Sequence, residues 1–73
     1  MIRYAVVIEK ASSNYSAYVP DLPGCVATGT SAEQAQANIS KAINMHLSGL
    51  AEDGIPAPAP NSVCTYVEAD ACI

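Results

Sequence analysis

The sequence predicts an α+β fold in which one helix packs on one face of a small antiparallel or mixed sheet. Two patterns support this prediction. Apolar and polar residues alternate near the start of the chain, as they do in half-buried strands. Apolar residues then recur every three or four positions between 32 and 50, as they do on one face of a helix. The predicted order is β-β-β-α-β, in a single domain that spans residues 1–73.

The first two predicted strands form a hairpin. Alternate residues are apolar from Ile2 to Glu9, and the alternation returns from Tyr15 to Val19 after the polar turn KASSN. A connection this short favours antiparallel pairing. Pro20 ends the second strand because proline has no amide hydrogen for the ladder. Cys25 to Thr28 is predicted as a third, short strand.

The helix is predicted to begin with a capping box. Thr30 and Glu33 have the required spacing, in which the hydroxyl accepts a backbone amide hydrogen and the acidic side chain reaches back. Ser31 and Gln34 offer the same arrangement one residue later. We expect the helix to run to about residue 52, with its apolar stripe against the sheet.

The segment after the helix contains three further signals. Gly54 is predicted to end the helix in the left-handed conformation that glycine adopts easily. Ile55 to Pro60 reads IPAPAP, and its alternating prolines favour an extended polyproline II segment. Ser62 to Glu68 is rich in β-prone residues and is predicted as the fourth strand.

The charge distribution argues against several classes of partner. The formal charge is −4, and the three basic residues Arg3, Lys10 and Lys41 are spread along the chain. No basic patch is therefore available to neutralise several phosphates, and we expect no direct binding to nucleic acid. An acidic surface attracts basic proteins instead. The N-terminal apolar run is too short for a signal or a membrane span, so a cytoplasmic location is expected.

The cysteines predict neither a disulfide framework nor a zinc site. Cys25, Cys64 and Cys72 are an odd number at wide spacing, and we interpret them as free thiols. A metal site would need His46 to join all three. We therefore expect no metal and no cofactor. His46 itself projects near the centre of the apolar stripe and is predicted to be a half-buried packing residue that donates to a backbone carbonyl or to a neighbouring copy.

The stretch YSAYVPDLPGCVATG concentrates reactive side chains and has two interpretations, a catalytic loop or a turn between strands. One predicted role of Asp21 is to accept backbone hydrogen bonds at the start of the turn Leu22-Pro23-Gly24. The other is to present its negative charge to a basic partner. Both roles are compatible. Tyr15 and Tyr18 lie on opposite faces of the second strand, either as interface anchors or in cross-strand packing within the monomer. The predicted partner-binding residues are Tyr15, Tyr18, Asp21, Leu22 and Pro23.

Four segments taken together resemble the HicB-like antitoxin family. They are YAVVIEK, YSAYVPDLPGCVATGTS, AEQAQANISKAI and HLSGLAEDGIPAPAP, which follow one another in residues 4 to about 60. The resemblance implies a partial ribonuclease H-like fold that binds and silences a small, basic, mRNA-cleaving toxin of the HicA type. Members of this family usually carry a further C-terminal segment that binds operator DNA. Because the sequence ends at Ile73, just after its last predicted strand, we expect this segment to be absent.

Two alternatives stay open at this point. One is a metal-dependent nuclease, which would need three or four carboxylates to converge. The seven acidic residues lie on different predicted elements, so we expect no convergence and no catalytic residue. The other alternative is a scaffold of the same fold without a toxin. In either case a domain this small has a limited core and a bare strand edge, so a homo-oligomer, either a dimer or a tetramer, is expected.

Overall fold

The computed structural model describes residues 2–71 and consists of three strands followed by one helix. The elements are β1 (Val7–Lys10), β2 (Tyr15–Tyr18), β3 (Val26–Gly29) and α1 (Ala32–Glu52). The strands form one antiparallel sheet in the order β1-β2-β3. The helix contacts all three strands and most extensively β3. The α+β class and the order of the first four predicted elements are confirmed.

The core lies between α1 and one face of the sheet. Ile8, Ala17 and Ala27 are directly opposite one another in the sheet and face the helix. The two largest fully buried side chains are Leu22 and Ile39. The buried apolar side chains are Ala17, Val19, Leu22, Cys25, Ala35 and Ile39, with Tyr4, Val6, Ile8, Tyr15, Ala27, Ala42, Ile43 and Leu47 packed around them. The inward faces predicted for the first strand and for the helix are therefore correct.

The first strand is shorter than its alternation predicts. Pairing with β2 begins at Val7, opposite Tyr18, although the predicted strand begins at Ile2. The chain turns away from the sheet after Tyr18, so β2 has no residues left to pair with positions 2–6. Tyr4 still packs against the core, which explains why the alternation continues there.

The prediction of a fourth strand from Ser62 to Glu68 is wrong for the chain as it folds here. These residues, which we call the edge segment, have no regular secondary structure. They lie beside residues 3–8, and a contact of 4.0 Å joins the Cys64 Sγ to the Val6 carbonyl oxygen. A cleft separates the edge segment from residues 5–8, and no backbone hydrogen bond crosses it within residues 2–71. The β-prone side chains are present, but the two backbones are not close enough to form a ladder.

The helix begins one residue later than the first predicted capping box. The N-cap is Ser31, whose Oγ accepts a hydrogen bond from the Gln34 amide at 3.0 Å. The Gln34 Oε1 accepts in turn from the Thr30 amide at 2.6 Å and from the Thr30 hydroxyl at 3.0 Å. The prediction that Thr30 and Glu33 form the capping box is thus wrong, and Ser31 and Gln34 form the cap instead. Glu33 lies in the first turn, where its charge interacts favourably with the helix dipole.

The C-terminus of α1 has the geometry of a Schellman motif. Gly54 adopts a φ of +71° and donates its amide hydrogen to the Ala51 carbonyl at 3.1 Å. The amide of Ile55 donates to the Leu50 carbonyl at 2.8 Å. These two bonds satisfy carbonyls that the helix itself leaves unpaired, and the positive φ explains why glycine occupies this position.

Gly29 brings the end of β3 against the first turn of the helix. A Cβ at this position would lie 2.5 Å from the Ala35 amide nitrogen and 2.9 Å from the Gln34 carbonyl carbon. Both are backbone atoms of a regular helix, which cannot move independently. Gly49, within the helix, has no atom within 4 Å of the corresponding position.

We expect Gly29→Ala to destabilise the domain because the new methyl group overpacks the contact between strand and helix. The free energy of unfolding should fall by about 1–3 kcal/mol. The matched control is Gly49→Ala, which should raise it by up to about 1 kcal/mol through helix propensity. Urea unfolding followed by circular dichroism measures both. Equal midpoints for Gly29→Ala and the native protein would show that the contact is looser than the structure indicates.

Candidate partner-binding surface

The connection between β2 and β3 consists of two consecutive β-turns. The Leu22 amide donates to the Val19 carbonyl, and the Cys25 amide donates to the Leu22 carbonyl, each at 3.1 Å. Pro23 and Gly24 occupy the two central positions of the second turn, where Gly24 has a φ of +82°. Proline followed by a glycine with positive φ is the signature of a type II turn. The stretch is therefore a rigid corner, which agrees with the turn interpretation of its sequence.

Leu22 and Pro23 point in opposite directions from this corner. Leu22 has no exposed surface, and its side chain fixes the turn to the core. Pro23 is exposed at the tip. The partner-binding role predicted for the two residues stays a prediction, and only Pro23 has surface to offer a partner in this structure.

Asp21 holds the start of the edge segment. Its Oδ2 accepts hydrogen bonds from the amides of Asn61 at 3.1 Å and Ser62 at 3.0 Å, and its Oδ1 accepts from the Ser62 hydroxyl at 3.1 Å. The carboxylate thus accepts backbone hydrogen bonds, as one interpretation predicts, but from a segment forty residues away in sequence. This role gives Asp21 a structural function, and its predicted contact with a partner stays untested.

A second hydrogen bond fixes the proline-rich segment. The Tyr4 hydroxyl donates to the Pro58 carbonyl oxygen at 2.6 Å. Together with the three bonds at Asp21, this contact holds residues 58–62 at the margin of the sheet. Residues 55–60 form neither helix nor strand in the structure, and their predicted polyproline II conformation stays a prediction.

The face of the sheet opposite the helix carries an apolar row. Val7, Tyr18 and Val26 lie directly opposite one another on the three strands. Tyr18 is 40% exposed and Val26 is 65% exposed. We call this row the outer face. Tyr15, in contrast, packs against the core on the helix side, so the two tyrosines lie on opposite faces as predicted. Val7 and Val26 are not among the residues that the sequence predicts to bind a partner, although the strand alternation places Val7 on this face.

His46 is half-buried, as predicted. It lines a shallow cleft with Gly24, Val26 and Met45 at the free edge of β3. Within residues 2–71 no hydrogen bond involves the imidazole, so the predicted donation to a backbone carbonyl of the same chain is not observed.

The acidic residues and the helix provide two further observations. No three side chains of the His, Cys, Asp or Glu type come close enough to hold a metal ion among the residues that the structure describes. Within the same residues, α1 lacks the apolar length needed to cross a bilayer.

The two described cysteines differ in environment. Cys25 is buried in the core, and Cys64 is exposed on the edge segment, both as free thiols. Burial raises the pKa of the Cys25 thiol because desolvation disfavours the charged thiolate. Cys72, the third cysteine, lies outside the described residues.

The chain is similar in sequence to proteins of bacteria and of a phage. A family model described as the HicB-like antitoxin of a bacterial toxin-antitoxin system matches residues 4–71. A UPF0150 protein of Helicobacter pylori is 43% identical over 63 residues, which are 85% of this chain and 88% of that protein. An uncharacterized 14.9 kDa protein from the rep-hol intergenic region of Haemophilus phage HP1 is 36% identical over 64 residues. This match includes 88% of the present chain but 48% of the phage protein, so the chain spans about half of that relative's length.

The fold also matches a solved structure. A chain from the HicA3 and HicB3 toxin-antitoxin complex superimposes with a TM-score of 0.68 at 28% sequence identity. The superposition covers 82% of the present chain and 70% of the other. Both the α+β architecture and the family resemblance are therefore supported by sequence and by structure.

Replacing Asp21 should release the edge segment. In Asp21→Ala the amides of Asn61 and Ser62 lose their acceptor, and the free energy of unfolding should fall by about 1–3 kcal/mol. Hydrogen exchange at these two amides should accelerate. Asp70→Ala removes the same charge from an exposed position and serves as the control. If both amides exchange as slowly in Asp21→Ala as in the native protein, the carboxylate does not hold the segment.

The two thiols should react at different rates. Iodoacetamide at pH 8 should alkylate Cys64 much faster than Cys25, because Cys25 is buried and its raised pKa disfavours the reactive thiolate. The Cys25 thiol ionises at a lower pH in the unfolded chain than in the folded one, because burial raises its pKa only in the folded state. Its contribution to the free energy of unfolding is therefore complete at neutral pH and decreases as the pH rises above about 9. Mass spectrometry of peptides, with Cys72→Ser to simplify the count and a urea-unfolded sample as control, measures the rates. Equal rates in the native protein would contradict the buried position of Cys25.

Proposed function

The chain belongs to the HicB-like antitoxin family, and from this membership we propose that it binds and neutralises a small, basic, mRNA-cleaving toxin of the HicA type. The proposed mechanism is occlusion, in which the domain covers the surface with which the toxin acts on RNA. Occlusion requires no bond to be made or broken by this chain. We therefore assign no catalytic residue, and a cytoplasmic location follows because the toxin would meet its mRNA there.

The observation that carries the proposal is the structural match to a chain from a HicA3 and HicB3 toxin-antitoxin complex, at a TM-score of 0.68. That protein is part of a complex between toxin and antitoxin. A shared family model over residues 4–71 extends the likeness to nearly the whole chain. A HicA-like protein is thus the partner that the relatives favour.

The surface of the domain offers a physical route to such a complex. The outer face places Val7, Tyr18 and Val26 in one row, with substantial exposure of the last two. Tyrosine is among the residues most often found at the energetic centre of protein interfaces. The formal charge of −4 favours encounter with a basic protein and should make the association rate sensitive to salt.

The corner beside this row limits the entropic cost of binding. Tyr18 is the last residue of β2, and the double turn that follows it is held by backbone hydrogen bonds and by the buried Leu22. A side chain next to a rigid turn loses less freedom when a partner immobilises it. Of the predicted partner-binding residues, Tyr18 and Pro23 are therefore the ones that we propose to contact the toxin directly.

Truncating the outer face should weaken toxin binding and leave the domain folded. We expect Tyr18→Ala and Val26→Ser each to raise the Kd for a HicA-like toxin by about 30-fold or more, the effect of losing an interface hot spot. The control is Gln36→Ala, which shortens an exposed side chain on the helix, on the other side of the sheet. Isothermal titration calorimetry gives the Kd, and an RNA cleavage assay gives the inhibition.

Two outcomes would reject parts of this proposal separately. A native protein that neither binds nor inhibits a HicA-like toxin encoded beside it would remove the antitoxin function. Native binding with no loss in Tyr18→Ala and Val26→Ser would keep the function and move the interface away from the outer face.

A further inference from the structure

The strand β3 forms one side of the sheet, and no other strand pairs with it there among residues 2–71. We call this side the free edge. The other side of the sheet differs, because the edge segment lies beside β1. A free edge presents unpaired backbone amides and carbonyls, to which a strand of another molecule can add. The free edge is therefore a place where unwanted association between chains can begin.

The register of the sheet identifies the backbone groups that point outward at the free edge. The Val19 amide donates to the Cys25 carbonyl at 3.3 Å, so the Cys25 carbonyl faces β2. Successive residues of an antiparallel strand alternate between facing their partner strand and facing away from it. Ala27 therefore also faces β2, whereas Val26 and Thr28 direct their amides and carbonyls away from the sheet.

The strand itself has few of the features that protect sheet edges. Natural proteins protect them with charged side chains, prolines, bulges, short strands or a covering element. None of the residues Val26–Gly29 is charged or a proline, and their pairing with β2 has no bulge. Val26 is also 65% exposed, so the apolar outer face continues up to this edge. Of these protections, β3 itself has only its short length of four residues.

A side chain of the helix supplies a further protection. The Nδ2 atom of Asn38 donates a hydrogen bond to the Thr28 carbonyl oxygen at 2.7 Å. This oxygen is one of the two carbonyl oxygens that β3 directs outward. A strand that added to the free edge would place its own amide on the same oxygen and would compete with Asn38 for it.

Asn38 is unusual among the side chains of α1. Within residues 2–71 it is the only helix side chain that hydrogen-bonds to a strand. Asparagine is a poorer helix former than alanine, so helix formation does not explain its presence in the middle of α1. Its side chain is half-buried, beside the fully buried Ile39. The contact with Thr28 is thus the interaction that accounts for an amide side chain at this position.

We propose that Asn38 is an edge-blocking residue, whose side chain occupies the Thr28 carbonyl and closes the free edge to the addition of a strand. The chain is thereby left to associate through its other surfaces, which include the outer face. The proposal concerns the chain alone and does not depend on binding to a toxin.

Analytical ultracentrifugation of two matched variants tests the proposal. Asn38→Ala and Asn44→Ala make the same replacement in the same helix and raise its helix propensity equally, but only the first removes the bond to Thr28. Asn38→Ala should form a species of about twice the native mass or more, because two copies can then pair through their free edges. Asn44→Ala should sediment like the native protein, and both variants should keep the native helical circular dichroism signal.

A second substitution separates edge pairing from a general loss of stability. Thr28→Lys adds a charge to the exposed side chain of the edge strand, which opposes pairing between two copies but does not restore the lost hydrogen bond. The double variant Asn38→Ala with Thr28→Lys should therefore return to the native mass. Hydrogen exchange locates the contact, since the amides of Val26 and Thr28 should exchange about tenfold more slowly in the Asn38→Ala assembly than in the native protein.

Three outcomes would overturn the proposal. The first is an Asn38→Ala variant that sediments like the native protein at every concentration. The second is loss of the helical signal in Asn38→Ala, which would show that the hydrogen bond serves folding alone. The third is an assembly that persists after Thr28→Lys is added, or that leaves exchange at Val26 and Thr28 unchanged, because the copies would then associate through another surface.

Discussion

The small size of the core is the constraint on which the rest of this structure depends. Among residues 2–71, six apolar side chains form its buried centre, and Leu22 and Ile39 are the largest of those that are fully buried. One of these two comes from a turn and the other from the helix, so the corner after β2 is as much a part of the core as α1 is. A single helix can cover one face of the sheet. The opposite face is left to water or to other molecules, and only the edge segment lies beside β1.

The chain compensates for this small core by using backbone geometry where side chains are scarce. Gly29 lets β3 approach the helix more closely than any other residue would allow. Gly24 and Gly54 accept positive φ angles at two corners, and each is accompanied by backbone hydrogen bonds. These positions keep the chain compact without additional apolar volume. They also explain why turn residues, rather than reactive groups, dominate the most distinctive part of the sequence.

Most of the fold is predictable from the sequence because the strands and the helix have clear periodicities. The inward positions of Val6 and Ile8 follow directly from alternation, and that of Ile39 follows from helical spacing. The capping box was ambiguous because two overlapping pairs fit the same rule, and only the conformation of Ser31 decides between them. Propensity predicts a fourth strand, but a strand also needs a partner at hydrogen-bonding distance, and a local sequence pattern carries no information about that partner. The bond between Asp21 and Ser62 was unpredictable for the same reason, since it joins residues 41 positions apart.

The contact between Asp21 and residues 61–62 fixes where the polypeptide leaves the folded body. Three hydrogen bonds to Asp21 hold Asn61 and Ser62 against the sheet. Within the described chain, the residues that follow Ser62 form no backbone hydrogen bonds with the sheet. Any group attached beyond this point, natural or engineered, would start from a fixed position on the domain and in a fixed direction. The carboxylate of Asp21, a turn residue, thus determines the position and direction of the chain beyond Ser62.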